Sequence, residues 1–260
     1  MTIIETIILG IIQGLTEFIP VSSSGHLKIG EAILGVQTTE SLQFTIVVHG
    51  ATVLSTLIVF KKDIVEIFRN LFTKSINPTT HFALKIGVSM IPIAIVGLFF
   101  KNSIEAFFDS MPVSLVGLML MITGLILMFA WLKKSGNEDV SYWKAFIIGI
   151  AQVIAIIPGI SRSGATIGTA ILLKIDREKA ARFSFLMVIV PILGEMVLDI
   201  AKGEFVSGQI STVAMLAGFL SAFLAGLFAC RFMINIVKHG KLIYFAIYCL
   251  LIGVFSVLMG

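Results

Sequence analysis

The chain has 260 residues, of which 57% are hydrophobic and 13% charged, with a net charge of +4 and a mean hydropathy of +1.04. A soluble domain carries about 25% charged residues and needs more polar surface than this sequence supplies. A soluble enzyme, a disordered chain and a nucleic-acid binder are excluded, leaving an all-α polytopic membrane protein.

In chain order, Met1–Gly14 lacks a basic n-region and a small-residue cleavage site, so the N-terminus is expected to belong to the mature fold. Thr6–Leu27 is apolar but broken by Glu17, Pro20 and Ser22-Ser23-Ser24-Gly25. Spans are expected at Phe44–Phe60, Lys85–Phe100 and Met111–Leu132, each near the ~20 apolar residues that cross a hydrocarbon core. Ala145–Leu173 is broken by Pro158-Gly159 and Ser161-Arg162-Ser163-Gly164. Further spans follow at Phe183–Ile200, Gln209–Cys230 and Leu242–Gly260. A helix broken near mid-membrane is tolerated only where the freed backbone is buried in protein or lines a cavity. Both broken regions therefore read as re-entrant helical hairpins. Cys230 and Cys249 sit in apolar runs and are expected to be buried thiols.

The two hairpins are related. Gly10-Ile11-Ile12-Gln13 matches Gly149-Ile150-Ala151-Gln152, and Ser22–Gly25 matches Ser161–Gly164, always at an offset of 139 residues. A hairpin returns to its own side and three spans cross, so the second copy is expected to be inverted relative to the first. The expectation is one integral-membrane domain over 1–260, with repeat 1 at about 1–135 and repeat 2 at about 140–260. The loops after the first, third and fifth spans and the stretch before the fourth hold most Lys and Arg, whereas Lys28, Lys101 and Lys202 fall on the other side. Excess basic charge marks the cytoplasm. Both termini and the mouth of the first hairpin are expected to face outward.

Ionisable residues at membrane depth are costly and point to function. Gln13 and Glu17 share one helix face, and Ser23 and His26 are three apart on the return arm. Ser22, Ser23, Ser24 and Gly25 open one helix; Ser161, Arg162, Ser163 and Gly164 open another, adding a guanidinium suited to phosphate. Two helix N-termini and an arginine on one cavity suit a multiply charged oxyanion such as a diphosphate. A carboxylate with a neighbouring amide, Glu17 and Gln13, suits a divalent cation. Thr16 and Thr166 read as back-bonded helix residues. Glu195 and Asp199 are expected to line the cavity or reach the interface, Asp199 the latter. Gly10/Gly14, Gly164/Gly168 and Gly218/Ala222/Gly226 have the spacing of close helix packing.

Gln13-Gly-Leu-Thr-Glu17-Phe-Ile-Pro20-Val-Ser22-Ser23-Ser24-Gly25-His26 and Pro158-Gly159-Ile160-Ser161-Arg162-Ser163-Gly164 resemble the two signature motifs of the bacterial undecaprenyl-diphosphatase family of the bacitracin-resistance type. The resemblance covers essentially the whole chain. It implies a metal-dependent phosphohydrolase of the bacterial cell membrane that converts undecaprenyl diphosphate to the monophosphate, recycling the carrier for peptidoglycan synthesis. The family has Glu or Gln where Gln13 stands, so Glu17 is the sole carboxylate of the motif. His49 stands where the family usually has Gln, and the sequence assigns it no role. Residues and resemblance together nominate Ser23 as nucleophile, His26 as its base, and Glu17 with Gln13 as ligands of Mg2+ or Ca2+, or Glu17 as base. Arg162, with Ser161, Ser163, Gly164, Ser22, Ser24 and Gly25, would hold the phosphates. Direct attack by water activated by His26 or Glu17 fits equally well. Expected partners are a polyprenyl diphosphate, membrane lipids and a second copy of the chain. A secondary transporter or flippase of a polyprenyl-phosphate lipid or other anion is the alternative.

Overall fold

A computed structural model describes residues 1–36, 38–71, 77–109, 111–134, 136–201 and 210–259. The described residues form helices and no strands, only an isolated bridge between Glu138 and Ile175. In order they are α1 (Ile3–Phe18), α2 (Ser23–Leu34), α3 (Thr38–Val59), α4 (Lys61–Leu71), α5 (Pro78–Asp109), α6 (Val113–Leu132), α7 (Tyr142–Ile154), α8 (Arg162–Leu172), α9 (Arg177–Met187), α10 (Ile189–Ala201), α11 (Thr212–Lys238) and α12 (Ile243–Met259).

Both broken regions are helix–turn–helix units, α1–α2 and α7–α8, and both turns end in a serine cap. Ser22 Oγ accepts from the Gly25 amide at 3.3 Å, and Ser161 Oγ accepts from the Gly164 amide at 3.0 Å. Each cap satisfies a donor the first helical turn leaves free. At the chain start, Thr2 and Glu5 exchange hydrogen bonds in a capping box that fixes the beginning of α1.

Helices stand at all six expected spans, with altered ends; four of the described segments are long and apolar enough to cross a membrane, and five if the bent α3–α4 pair is one span. The first, α3, gives way to α4 at a 78° bend. Lys61, Lys62, Asp63, Glu66 and Arg69 leave α4 too polar for hydrocarbon, while Val65 and Phe68 point outward, which suits a helix lying along an interface. The fourth span begins at Arg177 rather than Phe183, capped by Asp176, and breaks into α9 and α10 at Val188. Pro191, without an N–H to offer the carbonyl four residues back, accounts for that break. Helix α11 runs eight residues past Cys230, because Arg231–Lys238 continues the helix beyond its apolar part. Helix α12 is apolar but only 17 residues long, at the short end of what crosses a hydrocarbon core. The side chains of Lys101, Glu195 and Asp199, and residue Lys202, lie outside the described residues.

Small residues bring the helices together. A Cβ on Gly14 would lie 2.4 Å from the Ala222 carbonyl oxygen, and one on Gly10 would lie 2.5 Å from that of Gly218. Hence α1 and α11 touch backbone to backbone along the expected seam. A second seam, Gly117 of α6 against Gly253 of α12, went unread in the sequence. The opposite faces are apolar and open: Leu216, Leu220, Leu224 and Phe228 form one stripe on α11, and Ile247, Leu251, Phe255 and Leu258 another on α12. In water this surface would be untenable; against acyl chains it is the solvent face. Cys230 and Cys249 are free and buried, as expected.

Candidate active site

The two serine turns meet. Ser22 Oγ accepts a second hydrogen bond, from the Gly159 amide at 3.2 Å, so one hydroxyl ties the α1–α2 turn to the α7–α8 turn. A Cβ on Gly25 would come within 3.2 Å of the Gly159 Cα. Holding this arrangement puts Ser22 at φ 69°, where a residue with a Cβ is strained. The second turn is clamped from α6: Thr123 Oγ1 donates to the Gly159 carbonyl and accepts from the Ser161 amide, both at 2.9 Å.

Glu17 is the hub. Its Oε2 accepts from Gln13 Nε2 at 2.9 Å and from Ser23 Oγ at 2.8 Å, and His49 Nε2 stands 3.9 Å away. Gln13 and Glu17 meet because they lie one helical turn apart. Ser23 reaches them because the turn after Phe18 reverses the chain. Arg162 opens α8 and shares a narrow cavity with Glu17, Ser163, Thr166, Thr52, Thr56 and Ser184, with room for about a single water. Among the described residues the Arg162 side chain makes no hydrogen bond or close ion pair, which leaves its guanidinium fork for a ligand. Ser161 Oγ and Ser163 Oγ lie 3.2 Å apart, as Ser22 Oγ and Ser24 Oγ lie 3.4 Å apart in the other turn. Thr16 and Thr166 bond back to the carbonyls of Ile12 and Arg162, as their sequence positions suggest.

One expected contact is absent. His26 does not pair with Ser23, which donates to Glu17 instead. Its Nδ1 lies 2.9 Å from the Ser22 carbonyl and its Nε2 lies 2.9 Å from the Tyr248 hydroxyl, with the two rings stacked. A helical side chain leans back toward its own N-terminus, so His26 finds the carbonyl four residues earlier before the hydroxyl three earlier. A carbonyl only accepts, so Nδ1 carries the proton and Nε2 accepts from Tyr248. In place of the expected His26–Ser23 contact there is a Glu17–Ser23 hydrogen bond, with His26 anchored beside it.

The cation question turns on donors. Gln13 Oε1 is buried without a partner among the described residues, an oxygen that a hard cation would satisfy, and Glu17 adds a carboxylate one turn away. Among the described residues no three His, Cys, Asp or Glu side chains cluster tightly enough to hold a metal by themselves. This set fits Mg2+ or Ca2+ shared with substrate phosphates and water, and does not fit an all-protein cage.

The structure gives His49, which the sequence left without a role, a place beside Glu17, and it adds three residues that went unread. His49 faces Glu17 from α3, Tyr248 holds His26, Thr123 clamps the second turn, and Ser184 of α9 lines the cavity with a buried hydroxyl that has no partner. Their common signal was a polar side chain inside an apolar run, which Thr123 shows best.

Residues 6–255 match the family described as Bacitracin resistance protein BacA. The chain belongs to this family. Curated relatives called undecaprenyl-diphosphatase include one from Bacteroides fragilis, 53% identical over 98% of this chain and 97% of its own length. One from Bacteroides thetaiotaomicron is 54% identical over 97% of each. One from Carboxydothermus hydrogenoformans is 40% identical over 98% of this chain and 96% of its own length. In this member of the BacA family, both motifs that carried the resemblance lie at the touching turns.

Proposed function

We propose that the chain is an undecaprenyl-diphosphatase of the bacterial cell membrane, hydrolysing undecaprenyl diphosphate to undecaprenyl phosphate and phosphate. Membership of the BacA family and full-length similarity to enzymes of that name carry the activity. The observation that carries the site is the contact between the two serine turns, with the Glu17–Ser23 hydrogen bond on one side and Arg162 on the other.

Chemistry follows from these groups. Ser23 Oγ attacks the terminal phosphorus while its proton passes to Glu17 Oε2, already its hydrogen-bond acceptor. The bond to the bridging oxygen breaks and undecaprenyl phosphate leaves. Water then attacks the phosphoserine; one of its protons goes to the departing Ser23 Oγ, the other stays on phosphate, and Glu17 releases its proton to solvent. Arg162, Ser24, Ser163 and the first-turn amides of α2 and α8 that the caps leave free face the charge that moves between oxygens, the main demand of phosphoryl transfer, while the Gly25, Ser161 and Gly164 amides are held by Ser22, Thr123 and Ser161 and set the shape of the two turns. His26, held by Ser22 and Tyr248, orients the start of α2. Mg2+ or Ca2+, held through Gln13 Oε1 and Glu17, would neutralise part of the diphosphate charge.

The same reading makes residues 1–260 one domain of two inverted repeats, about 1–135 and 140–260. Equal capping by Ser22 and Ser161 supports it. Both termini and the active-site mouth then face outward, supported by the concentration of Lys and Arg on the opposite side. A transporter is not favoured, because anion transport needs no hydroxyl paired with a carboxylate.

The test is phosphate release from undecaprenyl diphosphate by purified protein. Release that falls with EDTA, returns with Mg2+ or Ca2+, and drops at least 100-fold in Arg162→Ala is expected. Undiminished release from Arg162→Ala contradicts the assigned site.

A further inference from the structure

A second cavity lies away from the serine turns, where the N-terminal ends of α5, α7 and α9 come together. It is a groove of about 650 Å³, lined by His81, Phe82 and Lys85 of α5, Asp139 and Tyr142 at the start of α7, and Lys179 and Arg182 of α9. Lys85, Lys179 and Arg182 lie in the stretches where the expected topology gathers most of the chain's Lys and Arg.

We propose that this groove binds the phosphate headgroup of an anionic glycerophospholipid from the leaflet on the basic side. Charge is the first argument. Lys179 pairs with Asp139 and Arg182 with Asp63, which leaves Lys85 without an ion-pair partner among the described residues. Its Nζ lies instead 5.8 Å from the centre of the Tyr142 ring, and the Arg182 guanidinium stands 5.3 Å from that of Phe82. The Tyr142 ring holds Lys85 at the groove wall without neutralising it. His81 Nδ1 lies 2.6 Å from the Tyr142 hydroxyl, which fixes the floor between α5 and α7.

Position is the second argument, and it selects a lipid over a free anion. Lys85 is the last charge before the apolar length of α5, whose Ile91, Ile95 and Leu98 point outward. On α7, Trp143 lies outward beside the groove, with Ile150 and Ile154 further along. Aromatic residues mark the level where headgroups meet hydrocarbon. A phosphate seated at Lys85 would let its acyl chains run down these open faces, and basic pockets between helices on this side suit such headgroups.

The experiment measures phosphatidylglycerol binding to the purified full-length chain by native mass spectrometry. Lys85→Gln/Lys179→Gln is compared with Lys133→Gln/Lys241→Gln, which removes the same charge from the same face outside the groove. The groove variant is expected to weaken the tightest phosphatidylglycerol site about fivefold for each charge removed, with the control within about twofold of the parent. Phosphatase activity in detergent and unfolding temperature are expected to stay unchanged in both. Equal losses in the two variants would assign binding to diffuse surface charge and overturn the proposal. Displacement by millimolar inorganic phosphate would assign the groove to a free anion, and equal affinity for phosphatidylcholine would remove the charge argument; either result overturns it.

Discussion

Ser22→Ala is the substitution through which the two-turn site is most sharply tested. The Ser22 hydroxyl accepts from the Gly25 and Gly159 amides and is 3% exposed, so its loss strands two buried donors. Each stranded donor costs about 1–3 kcal/mol, and some relaxation of the turns recovers part, so a loss of about 3 kcal/mol is expected. For a chain of this size that lowers the unfolding temperature by roughly 6–12 °C. Activity falls further than stability does. The Gly159 amide is the direct tie between the turns, and a displacement of about 1 Å between Ser23 and Arg162 costs on the order of 100-fold in rate. Ser22→Gly removes the same bonds but relieves the strain at φ 69°, so it is expected to be no less stable than Ser22→Ala, with the same loss of activity. Ser24→Ala, whose hydroxyl touches only Ser22 Oγ among the described residues, is the mild control. Thermal unfolding and phosphate release are measured in one detergent. Wild-type unfolding temperature and rate in Ser22→Ala would refute the claim that this hydroxyl joins the turns.

Ser184→Ala removes a buried hydroxyl with no partner, so unfolding temperature is expected to hold or rise slightly, while kcat/KM for undecaprenyl diphosphate falls about tenfold. An unchanged kcat/KM would mean that the hydroxyl never meets substrate. Tyr248→Phe takes one hydrogen bond from His26 but keeps the stacked ring, so steady-state kinetics should show a loss under about tenfold, smaller than that of His26→Ala. Gly14→Ala forces a methyl to within 2.4 Å of the Ala222 carbonyl oxygen; it is expected to cost about 1–3 kcal/mol, read as a lower unfolding temperature and reduced yield of monodisperse protein.

Much of the fold was legible because its breaks are written in local chemistry. Pro20, Pro158 and the serine runs stop helices inside apolar stretches, and both runs cap the helix that follows. The Gly10/Gly14 and Gly218/Ala222 spacing announced a seam that did form. What stayed hidden depends on direction and distance rather than on residue type. The order of Ser23 and His26 along α2 suggests a pair, yet rotamer direction sends the imidazole to Ser22 and Tyr248 and leaves the hydroxyl to Glu17. Thr123, Tyr248 and Ser184 reach the site from other helices, and a polar side chain in an apolar run marks a residue without saying which turn it will meet. The bend before α4 and the break between α9 and α10 moved the ends of spans whose existence hydropathy had already established.

The central claim is that Ser23, held on Glu17, takes the terminal phosphoryl group. Rapid quenching of undecaprenyl diphosphate labelled in that phosphate, followed by peptide mapping, tests it most directly. Transient label is expected on Ser23 in the wild type, with none in Ser23→Ala and slower labelling in Glu17→Gln. Wild-type phosphate release from Ser23→Ala, with no labelled serine at any time, would contradict it and leave direct attack by water.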